Sequence, residues 1–186
     1  MRRNIGAKSA LYPMPVLIIG TYDEYGTPNA MNAAWGGISE ENEISICVSD
    51  DHKTTANVLA RKAFTVSIAD VNNLVQADYV GIVSGNDVPD KLERTGWHAE
   101  KSARVDAPIY AELPFALECR LKSYDAATCR LVGKIIDISV DERILAADGK
   151  PDLAKFRPIT YDSFRHDYLT LGEVVGKAFS DGTKLK

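Results

Sequence analysis

The chain has 186 residues, which at about 150 residues per domain makes one domain, 1–186, long enough to bury a core without disulfides. Its 26 Asp and Glu against 22 Lys and Arg leave a net charge of -4, which argues against broad electrostatic binding of nucleic acid and leaves room for a local basic pocket. Hydrophobic residues at 45% and charged residues at 26% describe a globular chain, and three scattered cysteines (Cys47, Cys119, Cys129) exclude a disulfide framework or a four-cysteine metal site.

Arg2, Arg3 and Lys8 precede an apolar run over 11–19, in the manner of an export signal. Pro13 and Pro15 interrupt that run, no small-residue cleavage pattern follows, and it is too short to cross a bilayer. A cytoplasmic protein without membrane association is therefore expected, with a buried strand over 16–21. A turn at 23–26 leads to a second strand that ends near Ala34. Ile44, Ile46 and Val48 then alternate with Ser45, Cys47 and Ser49, as in a half-buried strand. A helix is expected over 54–62, with hydroxyls as capping candidates at its start and Arg61 and Lys62 at its end, where they suit the dipole. Phe64, Val66 and Ile68 give the next strand, over 64–69. A second helix over 71–83 would place Val71, Leu74, Val75, Tyr79, Ile82 and Val83 near one face. A short turn over 89–95 ends at Gly96, a C-cap residue. The clearest alternation is Phe115, Leu117, Cys119 and Leu121, followed by a turn near Asp125 and a strand over 129–140. About six strands without regular strand–helix alternation indicate a mainly β, antiparallel fold with inserted helices, a β-barrel whose closure the pattern leaves open.

Three stretches could carry chemistry. Ser49, Asp50, Asp51 and His52 lead into Lys53, Thr54, Thr55 and Asn57, so a strand exit meets a helix start bearing two hydroxyls and a lysine. Free N–H groups, the positive end of the dipole and Lys53 would together hold a phosphate. The same residues also fit a plain N-cap beside a solvated lysine, and capping hydroxyls are the commoner occurrence. Asn32, Ala33, Ala34 and Trp35, followed by Gly36 and Gly37, would let a flat ring approach backbone amides; a core tryptophan before a glycine turn fits equally. Ser84 and Gly85, with Lys91 in a later turn, offer a close backbone approach and another cation. HExxH, G-x-S-x-G and GxGxxG are all missing, which argues against a zinc site, a serine hydrolase and a Rossmann dinucleotide site. No cysteine shows a signal of activation, and no catalytic proton donor is assigned.

In order, YPMPVLIIGTYDEYGTPNAMNAAW, HKTTANV, FTVSIAD, ADYVGIVSG, DAPIYAELPFALECRL, LVGKIIDISVDERIL and the tail from ITYDSF to LGEVVGKAF resemble the flavin reductase-like family, within it the flavoredoxin-type proteins. One departure is Glu41-Asn42-Glu43, where relatives often carry prolines. The resemblance implies a split, Greek-key antiparallel β-barrel, a homodimer, and FMN as cofactor. By position, Lys53, Thr54, Thr55 and Asn57 would hold the phosphate and nearby ribityl oxygens, with Ser49 and Asp50 close to the ribityl chain. Asn32, Ala33, Ala34 and Trp35 would line the isoalloxazine ring. Ser84, Gly85 and Lys91 would close the other side, with Tyr161 and Phe164 as aromatic contacts. The implied activity is an NAD(P)H-dependent oxidoreductase that takes a hydride on flavin N5 and passes electrons to free flavin, a ferric complex or a redox protein. The alternatives are an FMN electron carrier reduced by a partner protein, and a non-enzymatic barrel for another phosphorylated ligand.

Overall fold

The computed structural model describes residues 1–186. Its first half contains β1 (Met14–Pro15), β2 (Leu17–Tyr22), β3 (Pro28–Ala33), β4 (Gly36–Glu40), β5 (Glu43–Cys47), α1 (Lys53–Arg61), β6 (Ala63–Ile68) and α2 (Leu74–Ile82). Then come β7 (Ala99–Lys101), β8 (Pro108–Tyr110), β9 (Phe115–Asp125), β10 (Arg130–Val140), α3 (Leu153–Phe156), β11 (Ile159–Asp162) and β12 (Asp167–Thr170).

Seven strands make one sheet in the order β3-β2-β6-β9-β10-β5-β4, antiparallel throughout. Its two edges, β3 and β4, are consecutive in the chain and joined only by Ala34 and Trp35. Three peptide steps from Ala33 to Gly36 span at most about 11 Å, so the sheet must curl until its edges nearly meet. Cys47 N donates to Trp35 O at 2.8 Å, carrying the β4–β5 ladder up to the link. The result is a barrel split at Ala34 and Trp35. Gly36 is required there, because a Cβ would stand 2.9 Å from Leu17 Cδ1 and 3.1 Å from Ser45 O.

Leu17, Ile19, Ile46, Phe64, Val66, Leu117 and Leu131 fill the barrel, and Val58 of α1 joins them. Val16 and Ile18 point outward into a second core with Ala77 and Val80 of α2, Trp97, Tyr110 and Leu113. Burial on both faces explains why 16–19 reads as an unbroken apolar run. Cys119 lies inside the barrel, where burial pushes its thiol up to about 12 and keeps it inert. No helix is long and apolar enough to cross a membrane.

Each expected strand is present. The differences lie where alternation has no side chains to show, or where packing overrides it. Residues 36–40, which read as a glycine turn, form β4. The second helix begins as a 3₁₀ turn at Val71–Asn73, because Asp70 accepts Asn73 N at 3.0 Å, before α2 starts. The buried face of α2 is also not the expected one: Ala77 and Val80 are fully buried while Val75 and Ile82 are 74% and 75% exposed. Small Ala77 lets the helix lie close to the sheet, and this leaves Ile82 free to line a cleft.

Gly36→Ala should destabilise the fold by about 1–3 kcal/mol through overpacking at the split. Chemical denaturation against the parent chain measures it; an equal midpoint would show that the link has slack.

Candidate cofactor site

After β5 the chain turns through 48–51 and enters α1 at His52, whose backbone is extended (φ -74°, ψ 137°) and whose side chain makes no capping bond. The hydroxyl cap expected from sequence is thus replaced by His52, with Thr54 and Thr55 inside the first turn. The first helical bonds run from Thr55 N and Ala56 N to His52 O at 3.0 and 3.2 Å. Lys53 and Thr54 N–H therefore have no intramolecular acceptor, which leaves the positive end of α1 open to an anion.

These groups face a cavity of about 250 Å³ that is also lined by Asn29, Ser84, Gly85 and Lys91. Asn29 Nδ2 donates to Thr54 Oγ1 at 3.0 Å, so the threonine keeps its own proton for donation. A Cβ on Gly85 would sit 2.5 Å from Asn29 Oδ1, so only glycine lets this backbone close over the cavity. Lys53 Nζ lies 3.4 Å from Asp23 Oδ2 at the rim. Burial acts to raise the Asp23 carboxyl, but N–H bonds from Thr27 and Tyr25, together with Lys53, outweigh it and hold it below the usual range. Lys91 is buried and donates to Val80 O at 3.2 Å and Val83 O at 2.7 Å, closing the C-terminal end of α2. No carboxylate pairs with it, and burial pulls its ammonium down to about 8. A buried cation without a counter-charge, free N–H groups and a glycine cradle together fit a phosphate dianion.

A larger cavity of about 760 Å³ opens beside the first, sharing Met31, Asn32, His52, Gly81 and Ile82 with it. Its walls are mostly apolar, with Val16, Ala33, Ala34 and Trp35 along the split. Trp35 is 60% exposed, so its ring is a cleft wall and not core. Asn32 is held by a bond from its Nδ2 to Ala77 O at 2.9 Å. The β11–β12 hairpin supplies the polar side. Tyr161 Oη lies 2.6 Å from His166 Nδ1, and Tyr168 Oη donates to Asp78 Oδ1 at 2.8 Å. Burial, then Asp78, pushes the Tyr168 phenol well above its usual value.

Of the residues singled out by sequence, Asn32, Ala33, Ala34, Trp35, Ser49 and Tyr161 line the larger cavity, while Lys53, Thr54, Ser84, Gly85, Lys91 and again Asn32 line the smaller. Four others line neither. Asp50 is exposed beyond the rim. Thr55 Oγ1 donates to Ser49 O at 2.6 Å, and Asn57 Nδ2 to Thr21 Oγ1 at 3.0 Å, so both are buried ties between α1 and its surroundings. Phe164 stacks on Tyr12 with ring centroids 6.3 Å apart. Sequence reading did not single out Met31, Cys47, Asp78, Gly81, Ile82, Cys129, His166 or Tyr168 as cleft residues. The spacing of Asp78, Gly81 and Ile82 on α2 is the signal that could have grouped three of them.

The model of the flavin reductase-like domain matches residues 9–163. The chain belongs to the flavin reductase-like domain family. Among solved structures, flavoredoxin of Desulfovibrio vulgaris (Miyazaki F) is 36% identical, covers 98% of this chain and 100% of its own, and superposes with a TM-score of 0.93. Flavoredoxin from Methanosarcina acetivorans is 26% identical over 100% of both chains, with a TM-score of 0.89. An FMN-binding domain of a flavin reductase-like enzyme from Shewanella baltica OS155, 20% identical over 88% of both chains with a TM-score of 0.77, shares the fold. No curated protein matches. The flavin reductase-like fold is thus a split barrel here, with the paired cavities at its split.

Lys53→Ala should weaken FMN about 10–100-fold, the value of one charge-assisted hydrogen bond, with little change in unfolding midpoint. Quenching of flavin fluorescence measures this, and an unchanged dissociation constant would remove Lys53 from the site. A phosphate favours the charged form of Lys91, so affinity should fall as pH rises past about 8, where the ligand-free ammonium loses its proton. The same titration repeated between about pH 7 and pH 9.5 measures that slope, and a flat profile would contradict it.

Proposed function

We propose that this flavin reductase-like protein binds FMN and works as an oxidoreductase, reduced by NAD(P)H and passing its electrons to a separate acceptor. The observation that carries this reading is the junction of two unlike cavities. One is small, polar and cationic, and the other is larger and apolar, with a tryptophan wall. A phosphate at one end and a flat ring at the other match that pair. Bound FMN supplies the redox chemistry, taking up a hydride at N5 and releasing electrons.

The residues supply position and electrostatics. Lys53, Thr54 and the start of α1 anchor the phosphate, and Lys91 adds positive charge from the wall of the same cavity. Asn32 to Trp35 present backbone and an indole to the ring, and the open side toward Trp35, Cys47 and His166 gives a second flat molecule access. The electron-carrier reading is favoured by one finding, the 36% identity to a protein named flavoredoxin. A homodimer belongs to the same proposal: Leu11 on one terminal arm, and Val174, Val175 and Phe179 on the other, are 71–102% exposed, apolar side chains that a second copy would cover.

An anaerobic titration of the FMN-loaded protein with NADH, then NADPH, tests the donor. Prompt bleaching of the flavin bands is expected with one of them. Flavin that bleaches only with dithionite would refute nicotinamide reduction and select the carrier.

A further inference from the structure

The β11–β12 hairpin holds a polar pair at the larger cavity that phosphate binding leaves unused. Its turn is pinned at Asp162: Asp162 O accepts His166 N at 2.8 Å, and Asp162 Oδ1 accepts Phe164 N at 2.9 Å and Tyr12 Oη at 2.5 Å. His166 takes φ +60°, uncommon for a side-chain-bearing residue, and its ring turns back over β11. There Nδ1 lies 2.6 Å from Tyr161 Oη, with ring centroids 6.1 Å apart. Tyr168 stands directly opposite Tyr161 in the ladder, but its hydroxyl is committed to Asp78. Tyr161 is half-buried, His166 is exposed, and both line the larger cavity. An exposed imidazole thus touches a half-buried phenol at the cavity wall, the contact that a proton relay requires.

We propose that Tyr161, recharged through His166, protonates the oxygen of a flat cyclic acceptor of the p-quinone type bound in the larger cavity. This rests on the FMN reading above and names its acceptor class. A quinone becomes a hydroquinone on gaining two electrons and two protons. The hydride supplied by the cofactor brings both electrons and one proton; the other proton must come from elsewhere. The Tyr161 O–H bond breaks as an O–H bond forms on the quinone oxygen. The Nδ1–H of the His166 imidazolium passes to the phenolate, and the exposed imidazole regains its proton from water. A ferric acceptor takes one electron and no proton, so it has no use for this pair. Apolar walls at Val16, Met31, Trp35 and Ile82 also suit an uncharged ring better than a charged complex. Of the other titratable groups facing that cavity, Asp78 is paired with Tyr168, and His52, Cys47 and Cys129 lie on or beside the strands and α1. On the hairpin itself Asp162 is tied to Tyr12, Arg165 is exposed in the turn, and Asp167 is exposed at the start of β12.

The test uses photoreduced, FMN-loaded protein mixed anaerobically with tetramethyl-p-benzoquinone, whose ring carbons no thiol can attack, or with ferricyanide. Tyr161→Phe should lower the ratio of quinone rate to ferricyanide rate at least about tenfold. Its equilibrium dissociation constant for the quinone, measured on oxidised protein, should rise about tenfold, one hydrogen bond's worth. His166→Gln keeps a hydrogen-bonding group beside the phenol but carries no transferable proton. It should lower the same ratio while weakening quinone binding far less. Equal losses on both acceptors, or an unchanged ratio in Tyr161→Phe, would overturn the relay. Parent protein that does not retain FMN would instead refute the cofactor reading, so the two failures are distinguishable.

Discussion

Two residues join the opposite edges of a seven-stranded sheet, and the site follows from that constraint. A twisted antiparallel sheet of this width would otherwise stay open, with β3 and β4 far apart. Because Ala34 and Trp35 are the whole connection, the sheet has to roll up, and the roll stays incomplete where they cross. Trp35 cannot enter a barrel already filled by Leu17, Ile46 and Leu131, so its ring remains outside as a wall. Gly36 completes the crossing, since anything larger would meet Leu17 and Ser45.

The electrostatics of the cleft run against those of the chain. The net charge is -4, yet the polar end of the cleft gathers Lys53, Lys91 and the open start of α1. Lys91 is the sharper case. Its only partners are the carbonyl oxygens of Val80 and Val83, and its burial without a carboxylate disfavours its charge. Such a group is tolerated where a ligand later supplies the missing anion. Lys53, tied loosely to Asp23 at the rim, needs only a small movement to share itself with a phosphate.

Much of this was legible in the chain, for identifiable reasons. Alternation of Ile44, Ile46 and Val48, and of Phe115, Leu117 and Cys119, marks strands because one side chain in two must enter the barrel. The stretch from Ser49 to Thr54 is legible because a strand exit into a helix start leaves N–H groups free whatever surrounds it. What escaped reading is what only tertiary packing decides. Gly36 and Gly37 carry no side chain to alternate, so in sequence β4 reads as a turn. Thr55 and Asn57 have the right chemistry for a ligand, but their helix turns them toward Ser49 and Thr21. The buried face of α2 is hidden from sequence because burial follows the small Ala77 and not the larger Val75 and Ile82. The Tyr161–His166 pair depends on a turn whose geometry leaves no periodic trace.

One cleft reads two halves of a ligand, a phosphate at the start of α1 and a flat ring at the barrel split. Comparing FMN with riboflavin by calorimetry tests it most directly, because the two share the ring and differ only in the phosphate. FMN should bind at least about 100-fold tighter, and Lys53→Ala should remove about 10–100-fold of that gap. Equal affinities for the two would contradict it.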